Sequence, residues 1–166
     1  MKANRLILAL FPLVTLAATA SPLLAGPPWL AVELPPNPFD RASRGAFLLV
    51  HVFHYQNSAN EAVTGRAIGI VGGERRTVTL SFEPTSRPGV VALRNSWGER
   101  GEWTLILTNS QDHGGAAEVM VKVSGSRVIG VEAATKSSSS AELPLEPRRF
   151  TEAEIEASLK GRAVGG

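Results

Sequence analysis

Residues 63–82 read Val63-Thr64-Gly65-Arg66-Ala67-Ile68-Gly69-Ile70-Val71-Gly72-Gly73-Glu74-Arg75-Arg76-Thr77-Val78-Thr79-Leu80-Ser81-Phe82. The last six alternate strictly. On a strand they put Val78, Leu80 and Phe82 on one buried face and the hydroxyls of Thr77, Thr79 and Ser81 on the other. Gly72-Gly73 separates two strand-like runs, and glycine supplies the positive φ that a two-residue hairpin turn needs. The stretch therefore predicts a hairpin pairing 63–71 with 74–82, and with it an antiparallel sheet.

Working outward, the same period recurs. Val119, Val121 and Val123 alternate with Glu118, Met120 and Lys122, while Trp103, Leu105 and Leu107 form a further inward set with Ile106 apolar on the opposite face. Ser124-Gly125-Ser126 turns the chain between 119–123 and 127–131, or else marks a bulge in one long strand. Residues 84–89 and 95–101 are rich in turn formers. Seven or eight strands between Trp29 and Ala133 predict an all-β fold, an antiparallel immunoglobulin-like sandwich. The stretch 45–55 is apolar on both faces, with Phe47, Leu49 and Phe53 on one and Leu48, Val50 and Val52 on the other. A simple outer strand is polar on one side. Its second face is thus covered, with the C-terminal segment as an available cover, or binds something.

The termini differ from this body. Lys2 and Arg5 precede an uncharged run over 6–20 that ends in Ala18-Thr19-Ala20, the layout of a secretory signal peptide cleaved after Ala20 or Ala25. An uncleaved membrane anchor is the competing reading, opposed by Pro12, Pro22 and Gly26-Pro27-Pro28, which break a helix. From Lys136 a serine run followed by Pro144 and Pro147 reads as a linker. Thr151 and Glu154 then form a capping box and Phe150 with Ile155 a hydrophobic staple, so a short helix follows. The expected division is 1–25 signal peptide, 26–134 sandwich, 135–149 Ser/Pro-rich linker, and 150–166 short helix and flexible tail. The helix either docks on the domain through Phe150, Ile155 and Leu159 or presents them to a partner.

Composition narrows the function classes. Seventeen basic against fifteen acidic residues become fifteen of each once Lys2 and Arg5 leave with the signal, so the attraction expected of a nucleic-acid or anionic-membrane binder is missing. With no cysteine, an exported domain has no disulfides and relies on its core. Asp40 and Asp112 are the two aspartates, and no Gly-x-Ser-x-Gly, His-Glu-x-x-His, phosphate loop or dinucleotide fingerprint occurs. A carboxylate pair drawn from Glu33, Glu61, Glu83 and Glu102 is the residual catalytic option. The expectation is no enzyme and no cofactor.

His51-x-x-His54 invites a metal reading. On a strand the two imidazoles point to opposite faces, so each would need another ligand from a neighbouring strand or loop, and His113, Asp112, Glu33 and Met120 are of the right type. Trp97, in Asn95-Ser96-Trp97-Gly98, is the tryptophan most plausibly exposed and the first candidate for a ligand or glycan face.

Val63-Thr64-Gly65-Arg66-Ala67, Ser86-Arg87-Pro88-Gly89-Val90-Val91-Ala92-Leu93 and Gly101-Glu102-Trp103-Thr104-Leu105 together resemble the FixH/YtkA-like group of immunoglobulin-like domains of bacterial cell envelopes. The resemblance implies an envelope accessory domain, sometimes linked to respiratory or metal-transport machinery, with no catalytic residues to carry over. Where that group leads one to expect a Met/His-bearing segment, this chain has Ile68-Gly69-Ile70-Val71. The resulting expectation is an exported, periplasmic or extracellular, non-catalytic domain that binds an envelope protein. Cu or Zn handling through the histidines is the alternative, and glycan binding a third.

Overall fold

The structure is a computed structural model and describes residues 27–54, 57–110, 115–139 and 144–163. The signal-peptide or anchor segment and His113 lie outside the described residues, among which no helix is long and apolar enough to cross a membrane. In chain order the elements are β1 (Pro28–Glu33), a single 3-10 turn (Arg41–Ser43), β2 (Leu48–His54), β3 (Asn57–Ser58), β4 (Val63–Val71), β5 (Glu74–Thr79), β6 (Phe82–Pro84) and β7 (Val90–Leu93). There follow β8 (Glu102–Ser110), β9 (Ala116–Ser124), β10 (Arg127–Ala133), β11 (Thr135–Ser137), β12 (Leu145–Pro147) and helix α1 (Glu152–Ala163).

Two antiparallel sheets share one core. The first has the order β1-β2-β7-β6 with β3 on β2, and the second β10-β9-β8-β4-β5. Leu48, Val50, Val52 and Leu93 of the first sheet meet Trp103, Leu105, Leu107, Val119, Val121 and Val123 of the second. The β8 and β9 members are the inward sets that alternation predicts. The β4–β5 hairpin turns at Gly72 and Gly73, whose φ angles of 59° and 85° no β-branched residue adopts comfortably. Opposite Trp103 stands Gly69, where an added Cβ would collide with the indole ring, so glycine lets the largest core side chain lie flat on the next strand. Ser124-Gly125-Ser126 is a turn, while the bulge lies within β10, between Val128 and Gly130.

Three expectations need correction. The alternating run 74–82 is not one strand. β5 pairs with β4 as far as Thr79, and after Leu80 and Ser81 the chain crosses to the first sheet, where β6 pairs with β7. Leu80 remains buried at the crossing, so alternation persists while the hydrogen-bond partner changes. With the short β3, this raises seven or eight strands to ten between Pro28 and Ala133 among the described residues.

Residues 135–149 are not simply a linker. β11 and β12 pair antiparallel, Lys136 opposes Glu146 at 3.2 Å, and Arg148 donates its backbone N–H to the Ala134 carbonyl. Helix α1 then runs from Glu152 to Ala163.

Finally, α1 is docked, and on the other sheet from the one anticipated. Phe150, Ile155 and Leu159 are buried against Ile68, Ile106 and Met120 on the outer face of the second sheet, not over β2. They are therefore not available as a partner surface. Thr151 and Glu154 cap the helix reciprocally. Buried Glu118 accepts hydrogen bonds from the Thr108 hydroxyl (3.0 Å) and the Phe150 backbone N–H (2.8 Å), tying the helix entry to the sheet. Arg66–Glu152 (2.6 Å) and Arg75–Glu156 add ion pairs along its length.

Candidate functional site

The outer face of the first sheet has a different cover. There Leu49, Val90 and Ala92 pack with Ala46, the end of the 34–46 loop that joins β1 to β2. Prolines 35, 36 and 38 restrict this loop, and its polar groups bond within it. Asn37 Oδ1 accepts the Phe39 N–H at 3.0 Å. The buried Ser43 hydroxyl donates to the Asn37 carbonyl (3.0 Å) and lies within reach of that of Asp40 (3.2 Å). At the tip, Phe39 is 91% exposed. A phenylalanine held in water by a fixed backbone is the largest exposed apolar group among the described residues.

A charged network fastens the loop to the sheet. Glu33 at the end of β1 accepts from His51 Nε2 (2.9 Å) on β2 and from Arg87 Nη1 (3.1 Å) in the β6–β7 turn. Arg87 also faces Asp40 at 3.8 Å, one residue from Phe39. His51 stacks on Phe53, ring centroids 5.9 Å apart and 9° from parallel, an arrangement that strand period two dictates for i and i+2. Partial burial works against the Glu33 anion, but the hydrogen bonds from Arg87 and His51 outweigh it and hold the carboxyl below its ordinary range. Arg87 also lines an open cavity of about 390 Å³ with Asn60, Glu61, Thr85 and Val91. Arg87 thus both lines the recess and faces Asp40, the residue after the protruding aromatic.

The other sequence candidates fall elsewhere. His54 pairs with Glu61 at 3.2 Å, on a different carboxylate from His51, and the two histidines do face opposite ways. Met120 lies under α1 in the second sheet, away from both. At His51 the available donors are one imidazole and one carboxylate, and that carboxylate already carries Arg87. No group of three or more His, Cys, Asp or Glu suited to a metal occurs among the described residues. Glu83 engages Arg94 and Glu102 engages Ser124, so the four glutamates weighed as a catalytic pair are each committed to a different partner.

Trp97 is not exposed. It is 6% accessible and meets Phe47 edge-on at 5.0 Å, because Asn95 Oδ1 accepts the N–H groups of Trp97 and Gly98 and turns the loop inward over the end of the core. Sequence reasoning passed over Phe39 altogether. Its signal was an aromatic inside Pro35-Pro36-Asn37-Pro38-Phe39-Asp40, a stretch with no periodicity to bury it.

Set against known protein families, curated proteins and solved structures, the chain matches none.

Proposed function

We propose that this protein is an exported, non-catalytic immunoglobulin-like accessory domain that binds a protein partner of the cell envelope, with Phe39 as the inserted side chain. Phe39 carries this reading. Its ring adds nothing to the core, yet the hydrogen bonds of Asn37, Asp40 and Ser43 order the backbone that presents it. Binding energy at interfaces concentrates in such aromatic anchors, and a loop already ordered loses little entropy on docking. The recess beside Arg87 gives a partner side chain a place to enter in return. The signal-peptide layout of the first 25 residues supports export, and the resemblance to FixH/YtkA-like domains supports an accessory role.

Metal handling draws less support, since Arg87 competes for the one carboxylate beside His51. Burial of Trp97 removes the platform that glycan binding required.

The test places a photoreactive phenylalanine analogue at position 39 in the native host, with the same probe at Glu74 on β5 as control. A discrete protein adduct from position 39 alone supports the proposal. Equal labelling from both positions, or none from 39, ends it. Once the partner is in hand, Phe39→Ala should weaken its binding by about thirtyfold or more, the scale of an aromatic hot spot.

A further inference from the structure

The strands that end the two sheets are guarded unequally. β5 carries Glu74, Arg75 and Arg76, β6 is three residues long and includes Pro84, and β1 begins with Pro28 and ends with Glu33. Charge, proline, shortness and bulges are what keep an edge from pairing with another chain. Along its middle β10 has neither charge nor proline and only a bulge, and there Val128, Ile129, Gly130 and Val131 stand in a row with Ile129 and Val131 half exposed (50% and 49%).

The bulge in β10 decides what fits that edge. Val128, Val131 and Ala133 oppose Val123, Val121 and Val119 and so lie on the inward face of the sheet, where Val128 packs on the core. Arg127, Gly130 and Glu132 oppose Ser124, Lys122 and Met120 and face the side that α1 covers. Opposed residues of an antiparallel pair share a face, so a strand added to this edge must match inward with inward. A second β10 does so in the register that sets Arg127 against Glu132 and Val128 against Val131. Sliding by one residue either way sets Arg127 against Val131 or Ala133, an outward residue against an inward one.

Charge agrees with facing. Arg127 is exposed and has no ion-pair partner among the described residues, and in this register it meets Glu132 of the other copy twice, once at each end, alongside the Lys122 that Glu132 holds at 3.2 Å in its own chain.

We propose that β10 is a self-association edge, on which two copies of this chain pair antiparallel about a two-fold axis and join their second sheets into one. The occupant is a second copy because the strand is complementary to itself in apolar pattern, in facing and in charge. The surface is separate from the Phe39 loop.

The experiment is sedimentation of the purified full chain over a range of concentrations, with charge reversals at the two positions. Wild type should show a monomer–dimer equilibrium. Arg127→Glu and Glu132→Arg should each weaken it about tenfold, since both copies of the contact turn repulsive. The variant carrying both changes should recover the wild-type constant, and an equimolar mixture of the two single variants should form a mixed dimer, because opposite charges face again in both. Unchanged thermal midpoints exclude unfolding as the cause. Wild type that stays monomeric at every concentration overturns the proposal, as does a dimer indifferent to either reversal or one that the double variant fails to restore.

Discussion

The outer face of the second sheet and that of the first both turn apolar side chains away from the shared core, and the chain covers them by different means. Over Ile68, Ile106 and Met120 it lays its own helix, which brings Phe150, Ile155 and Leu159 and leaves none of the six in water. Over Leu49, Val90 and Ala92 it lays a proline-bound loop that contributes Ala46 and holds Phe39 outward. An apolar stripe on the back of a strand therefore does not announce a binding surface. The exposed aromatic lies on the cover, not on the sheet.

The comparison is broken most severely at the helix. Ile155→Ala removes a fully buried side chain from beneath α1 and should lower stability by about 2–5 kcal/mol, measured by chemical denaturation. A loss below about 0.5 kcal/mol, the scale of a surface change, would mean that the helix cover is loose and the two faces are alike. Next comes Glu118→Ala, which strands the Phe150 N–H and the Thr108 hydroxyl and should cost about 1–3 kcal/mol. Hydrogen exchange should then show faster opening of α1 than of β8. If helix and strand speed up equally, Glu118 serves the sheet rather than the helix.

Acid sharpens the comparison with a smaller effect. Hydrogen bonds from Arg148 and from Thr151 hold the Glu154 carboxyl at about 2 against an ordinary value of 4.5, and Glu33 is lowered in the same direction. A carboxyl lowered by folding contributes its full stability above its unfolded value and loses it as pH falls through the folded one. Helix capping should therefore weaken between pH 4.5 and about 2, and the 34–46 loop should loosen below pH 4.5. Amide exchange over that range should rise in α1 and in the loop before it rises in β8 and β9. A simultaneous rise everywhere would show that neither cover is separable from the core. Smallest of all is Phe39→Ala, which should change stability by less than about 0.5 kcal/mol. A larger loss would make Phe39 a structural residue and remove it from the partner surface.

Much of this was legible in the residues. Strict alternation located the inward faces of β8 and β9, paired glycines located the β4–β5 turn, and Thr151 with Glu154 located the helix start. What alternation does not encode is the partner across the hydrogen bonds, which is why the crossing at Leu80 and Ser81 escaped notice. Nor does a local pattern say which sheet a helix will cover, since Ile106 and Leu49 look alike until the strands are ordered. Trp97 and Phe39 were misjudged or missed for one reason. Both sit in loops, where burial follows from a few hydrogen bonds such as those of Asn95 and Asn37 and not from any period.

Trp103 and Trp97 both belong to the core shared by the two sheets, whereas α1 and the strand residues it covers include no tryptophan. With Trp29 on β1 as the third, the tryptophans therefore watch the two sheets of the sandwich, and lifting of the helix would pass beneath that signal unseen.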